Sequence, residues 1–287
     1  MEQHGKNPLQ NVIAIIPARF ASTRLMGKLL LELAGKPLIL HTLEQAKKAR
    51  NVDRVIVATD DERIFQIVEA SGNEAVRTSA RHQSGSDRIA EVARNLPENS
   101  IIVNVQGDEP LISPLTIEKA VNSIAELGLR NADSNPGSGI QDPKSVDIAT
   151  TCEPIHDISE VFSPNVVKVV TDNNGFALYF SRSPIPFLRD EVNKHGSLEK
   201  AFADDPGLLR HFRKHTGLYV YRREFLLKFA KMEQTQLEKI EKLEQLRALE
   251  NGAKIKVVEV DESSIGIDTL QDLERIREIL ENRKSEI

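Results

Sequence analysis

The sequence predicts an α/β protein with a mostly parallel central sheet flanked by helices and a smaller mixed β extension. Three observations carry this. Short apolar runs alternate with helix-periodic stretches through the first third of the chain, each run ends in polar or glycine-bearing residues, and the second half changes to closely spaced β-like segments.

In chain order, residues 1–10 are polar and read as a flexible lead-in. Val12–Ile16 is a short apolar run, the pattern of a buried parallel strand, stopped at Pro17. Leu38–Arg50 carries apolar groups at helical spacing, and Val52–Ala58 is a second buried strand ending at Thr59, Asp60 and Asp61. A helix over Glu62–Ser71, a short strand near Glu74–Arg77, a helix over Asp87–Asn95 and a strand over Ser100–Val105 continue the βαβ rhythm.

Beyond these, Asp147–Ile155, Val166–Thr171, Phe176–Ser181 and His215–Tyr221 read as strands, with Asp172 to Gly175 as a hairpin turn. The polar stretches Arg130–Pro143 and Arg189–Pro206 read as loops. A long amphipathic helix over Gln236–Asn251, a strand over Lys254–Val260 and a helix over Thr269–Ser285 close the chain. The expected organisation is a single domain over residues 11–287. Within it, residues 11–125, 146–235 and 236–287 form three successive parts, the last of them the closing helices.

Composition narrows the function. A chain of 287 residues with 40% hydrophobic side chains can bury a sizeable core without staples. Its single cysteine, Cys152, has no partner for an intrachain disulfide, and no apolar run reaches membrane-spanning length, so a reducing cytoplasm is the expected compartment. Cys152 itself reads as a small apolar strand residue. A net charge of −5 argues against a general nucleic-acid binder but leaves room for an anionic ligand met by a local cationic cluster.

The first strand supplies that cluster. Arg19, Arg24 and Lys28, the hydroxyls of Ser22 and Thr23, and Gly27 follow it directly, which suits a polyphosphate cradle at the carboxyl end of a parallel sheet. On composition alone it is equally an ordinary basic surface loop. Asp108 stands just past the strand Ser100–Val105, where a carboxylate can hold a hard cation such as Mg²⁺. Asp268, between a strand and a helix, reads as a metal carboxylate or as a plain helix N-cap.

The R-x4-R-x3-K series resembles the signature of sugar-nucleotide pyrophosphorylases and cytidylyltransferases, although Leu25 to Leu30 lacks both prolines of the usual LPGKPL and implies a less rigid loop. The stretches HQSGSDRIAE from His82, VNVQGDEP from Val103, PNVVKVV from Pro164, ALYFSRSPIP from Ala177, HTGLY from His215 and LEQLR from Leu243 together resemble the 3-deoxy-manno-octulosonate (Kdo) cytidylyltransferase family, in the same order over nearly the whole chain.

This resemblance implies a Rossmann-like nucleotide-diphospho-sugar transferase fold and transfer of CMP from CTP to Kdo, for lipopolysaccharide biosynthesis, with Mg²⁺ as cofactor. It implies catalytic roles for Lys28, Asp108 and Asp268, the two aspartates holding metal. It implies a nucleotide site of Arg19, Ser22, Arg24, Lys28, Arg77, His82, Ser84, Gly85 and Arg88, in which the His82–Arg88 loop looks like the base-reading segment. Sugar-side positions would be Gln106, Arg182, His215, Tyr219, Glu244 and Gln245. Read without the resemblance, Arg182 could pair with a helix acid, His215 could be a satisfied core histidine, and Glu244 could be one of many solvated acids. Open alternatives are a cytidylyltransferase for an 8-amino Kdo analogue or another acid sugar, and a nucleotide-binding protein without catalysis. A homodimer is also implied, built on the face of the 166–181 hairpin unless the long helix from Gln236 covers it.

Overall fold

Val12–Ala18 (β1) is apolar at nearly every position and is buried throughout except at Pro17, which is half-buried, as expected of a strand covered on both faces. In this computed structural model residues 11–21, 25–132, 146–261, 266–267 and 269–285 are described. Ser22, Arg24 and Asp268, most of the 130–143 stretch and the lead-in lie outside them.

After a 3-10 turn at Lys28–Leu30 and a two-residue hairpin, Glu32–Leu33 (β2) and Lys36–Pro37 (β3), the chain alternates helix and strand. These are Leu38–Lys48 (α1), Arg54–Thr59 (β4), Glu62–Ala70 (α2), Glu74–Arg77 (β5), Gly85–Ala93 (α3), Ile101–Asn104 (β6) and Pro114–Ala132 (α4). The order β6-β1-β4-β5 is parallel throughout, with Ile15 opposite Ile56 and Asn104, and Thr59 opposite Arg77. Leu38, Ile39, Leu43 and Ala46 of α1, Ile64 and Val68 of α2, and Ile89 and Val92 of α3 are buried with these strands. Both α2 and α3 begin on side-chain caps. Asp61 accepts from the Arg63 and Ile64 N–H groups, and Ser84 accepts from Asp87 N–H.

The rest of the chain comprises Ile148–Pro154 (β7), Ile158–Phe162 (α5), Lys168–Thr171 (β8), Ala177–Ser181 (β9), Arg189–His195 (α6), Leu198–Asp204 (α7), Arg213–Arg222 (β10), Arg223–Phe229 (α8), Gln236–Glu241 (α9), Glu244–Glu250 (α10), Ile255–Glu259 (β11) and Leu270–Ser285 (α11). The chain divides into two units. The first holds residues up to Val121, Val220–Ala230 and the segment from Ser264 onward, and the second holds Asn122–Tyr219 and Lys231–Ser263. In the second unit β11 runs parallel to β7, while β10, β8 and β9 are joined antiparallel, so this sheet is mixed. Phe202 meets Phe162 and Phe212 in a separate core with Ile155, Val161, Leu198 and Leu208.

Two expectations are corrected here. The stretch Arg189–Pro206 is not a loop: α6 ends on Gly196 in the left-handed conformation, and Ser197 then caps α7, whose Leu198, Ala201 and Phe202 are buried. The helix over Gln236–Asn251 is broken. Lys242 takes φ 55 and Leu243 is extended, while the carbonyls of Glu241 and Lys242 accept from Arg182. The unbroken apolar periodicity across this break carries no trace of it. Among the described residues no helix is long and apolar enough to cross a membrane.

Candidate active site

The carboxyl ends of β1, β4 and β6 carry the charged loops, so the site is built from the first unit. Gly27 closes the loop after β1: its N–H donates to the Phe20 carbonyl at 3.0 Å, and its φ of 67° suits glycine. A Cβ there would lie 2.7 Å from the Phe20 ring. The Phe20 ring is also met by Arg63, whose guanidinium stands 3.5 Å from the ring centroid while it bonds the Asp61 cap. Lys28 is thereby aimed at the end of β6. Arg19 is exposed at the end of β1.

Lys28 forms an ion pair with Asp108, and its ammonium also donates to the Ile267 carbonyl at 2.9 Å. The Ile267 N–H donates back to the Asp108 carbonyl at 2.9 Å, so the segment before position 268 is tied to the β6 turn. Gly107 lets that turn approach β1, since a Cβ would come within 3.3 Å of the Pro17 carbonyl oxygen. Thr42 of α1 donates to the Gly107 carbonyl at 3.0 Å, and Gln106 is half-buried in the same turn.

These groups fit a divalent cation. The Lys28 ammonium already rests on a carboxylate and a carbonyl oxygen, the hard donors that magnesium prefers. Among the described residues no group of three or more acidic, histidine or cysteine side chains could hold a metal by itself.

The loop between β5 and α3 is tied by its own side chains. Arg88 is buried, pairs with Asp60 at 3.0 Å and bonds the Thr78 hydroxyl. His82 bonds Glu91, Ser84 caps α3, and a Cβ added at Gly85 would stand 3.5 Å from the Pro17 side chain, an ordinary contact. Arg77 stands apart from this cluster, bonded to Glu62 and stacked on Phe65 at 3.7 Å.

In the second unit the expected sugar-side residues form two groups. His215 is half-buried, with its ring 5.1 Å from Phe180 and 5.3 Å from Tyr219. Thr150 donates its hydroxyl proton to the Leu218 carbonyl at 2.7 Å, so His215 Nε2, 2.9 Å from that hydroxyl, must be the donor. Burial pushes the His215 pKa down to about 3, which keeps the ring neutral. Arg182 is committed to carbonyls, of Glu241 at 2.8 Å and of Pro164 at 2.7 Å. Those bonds bring it to the start of α10, where Glu244 is half-buried and Gln245 is buried.

A family model for cytidylyltransferases matches residues 13–255. The chain belongs to the cytidylyltransferase family. Within it, a 3-deoxy-manno-octulosonate cytidylyltransferase of Trichlorobacter lovleyi is 54% identical, covering 93% of this chain and 97% of its own. One of Geobacter sulfurreducens is 52% identical, covering 94% and 99%. A solved structure of CMP:2-keto-3-deoxy-manno-octonic acid synthetase complexed with CTP is 36% identical, covers 96% of this chain and 100% of that one, and superposes with a TM-score of 0.80.

For this cytidylyltransferase, the structure brings Lys28 and Asp108 together, gathers His82, Ser84, Gly85 and Arg88 at one loop, and pairs His215 with Tyr219. It leaves Arg77, at the end of β5, bonded to Glu62 of α2. Sequence reasoning missed the side chains that hold these residues: Asp60 under Arg88, Glu91 under His82, Thr150 under His215, and Glu241 under Arg182. It also missed Lys168, fully buried, which donates to the carbonyls of Ser163 at 3.0 Å and Val166 at 2.6 Å. A lysine inside the apolar run Val166–Val170 was the available signal.

Proposed function

We propose that this chain transfers CMP from CTP to the anomeric hydroxyl of Kdo, giving CMP-Kdo and pyrophosphate. One observation carries the choice of substrate: relatives named 3-deoxy-manno-octulosonate cytidylyltransferase match at 52–54% identity over more than nine tenths of the chain. The geometry supports the chemistry. The first unit carries the phosphate loop, Asp108 and the β5–α3 loop, and the second carries Arg182, His215, Tyr219, Glu244 and Gln245 for the acid sugar.

In this reading Arg19, Ser22, Arg24 and Lys28 take the β- and γ-phosphates, whose charge grows as pyrophosphate leaves. Asp108, with Asp268, would hold Mg²⁺. When bound, that ion lowers the pKa of the attacking hydroxyl and stabilises charge on the α-phosphate. Lys28 cannot serve the phosphates while it neutralises Asp108, so the pair must open as the nucleotide arrives. The two charges exchange partners: the ammonium moves to phosphate oxygens and the carboxylate is released. His215, neutral with its Nε2 proton spent on Thr150, offers a lone pair to a sugar hydroxyl rather than a charge to the sugar carboxylate.

A cytoplasmic homodimer completes the reading. Leu178 on β9 is 62% exposed, and among the described residues β9 pairs only with β8, which leaves an edge for a second copy. Pyrophosphate release measured with CTP and Kdo, against UTP, sialic acid and 8-amino Kdo, tests the assignment. Fast release with CTP and Kdo is expected, and a clear preference for 8-amino Kdo or sialic acid would replace Kdo as the acceptor.

A further inference from the structure

The segment from Ser79 to Gly85 contains no buried residue, so apolar packing cannot set its shape. Polar ties do so instead, and two of them meet on one carboxylate. Glu91 on α3 accepts the Ser79 N–H at 3.0 Å and bonds the His82 ring through the same oxygen. Three residues earlier on the same helix, and therefore on the same face, Arg88 holds Thr78 and Asp60. The loop is thus clamped to α3 near its start and at its middle, while Ser84 fixes its end as the helix cap.

The clamp has a consequence for recognition. His82 and Arg88 have side-chain donors committed to protein partners, as do the N–H groups of Thr78, which donates to the Thr59 carbonyl at 2.9 Å, and Arg81, which donates to the Ser79 hydroxyl at 3.1 Å. Burial raises the Glu91 carboxyl, but Ser79 N–H, His82 and Arg94 together draw it below its ordinary value, so it is ionised at neutral pH. A charged acceptor of two donors is a strong tie for an exposed loop.

We infer that Glu91 is a positioning residue for base recognition, holding the Thr78–Ser84 loop in the shape that meets cytosine without touching the nucleotide. This rests on reading that loop as the base-binding segment. Glu91→Ala should raise KM for CTP roughly tenfold, as expected for one charge-assisted tie lost, while kcat changes less than about twofold. KM for pyrophosphate in the reverse reaction should not move, because the phosphate loop is built elsewhere. Glu91→Gln keeps an acceptor for Ser79 N–H and should restore most of the CTP affinity. An unchanged KM for CTP in both variants, an equal loss for pyrophosphate, or no recovery in Glu91→Gln would overturn the inference. Hydrogen exchange of the wild-type protein separates the two layers. Residues 78–87 should gain protection with CTP beyond that given by pyrophosphate. Without that gain the base-loop reading falls and the role of Glu91 with it; with it, a neutral Glu91→Ala refutes Glu91 alone.

Discussion

Replacing Lys28 by methionine removes the ammonium from Asp108 while keeping an unbranched side chain only one atom shorter. The two side chains are 12% and 26% exposed, which places the pair in a partly screened setting. At an effective dielectric of about 20, unit charges about 4 Å apart attract by about 4 kcal/mol. Desolvation and loss of side-chain freedom offset about half of this, leaving about 1.5–3 kcal/mol that a metal must displace in the free protein. Lys28→Met should therefore bind Mn²⁺ roughly ten- to a hundredfold more tightly in the absence of nucleotide. Electron paramagnetic resonance of Mn²⁺ titrated into nucleotide-free protein reads this directly. The same variant should bind CTP more weakly but CMP as before, since only the outer phosphates lose a charge. Metal affinity that stays the same or falls would refute partner exchange, and metal binding that survives Asp108→Asn in the Lys28→Met background would remove Asp108 from the metal site.

Asp108→Asn alone should lower kcat by about a hundredfold or more with a folded circular dichroism spectrum, because a metal carboxylate is lost with little change of shape; near-normal turnover would exclude that role. Gly27→Ala should cost about 1–2 kcal/mol from the left-handed backbone alone, besides the Phe20 clash, and raise KM for CTP. An unfolding midpoint and KM equal to wild type would show that the loop tolerates a side chain. His215 has a folded pKa of about 3 against an ordinary 6.5, so the unfolded chain binds the extra proton. Its contribution is present above pH 6.5 and is lost as pH falls toward 3, by about 1.4 kcal/mol per pH unit. Denaturant titrations at pH 7.5 and 5.5 should show a smaller drop for His215→Gln than for wild type, and equal drops would mean the ring is solvated.

The alternation of β1, α1, β4, α2, β5 and β6 was legible because strands buried on both faces leave continuous apolar runs and their helices keep a 3.6-residue period. Lys28 and Asp108 were legible for a related reason, since each follows such a run directly. Helices α6 and α7 were not. No residue of α6 is buried, and α7 buries only Leu198, Ala201 and Phe202, so polar composition outweighed the capping signal at Ser197. The break at Lys242 goes with hydrogen bonds from Arg182, 60 residues away, and local periodicity cannot report them. The same holds for the supporting side chains. Asp60, Glu91, Thr150 and Glu241 acquire their roles from partners that only the folded chain brings near.

The most direct test of the whole account is phosphorus NMR of the purified protein incubated with CTP, Kdo and Mg²⁺. One new phosphodiester signal from CMP-Kdo should grow in equal amount with free pyrophosphate, with neither product when Kdo is omitted. Appearance of CDP and inorganic phosphate, or of pyrophosphate without the sugar phosphodiester, would contradict it.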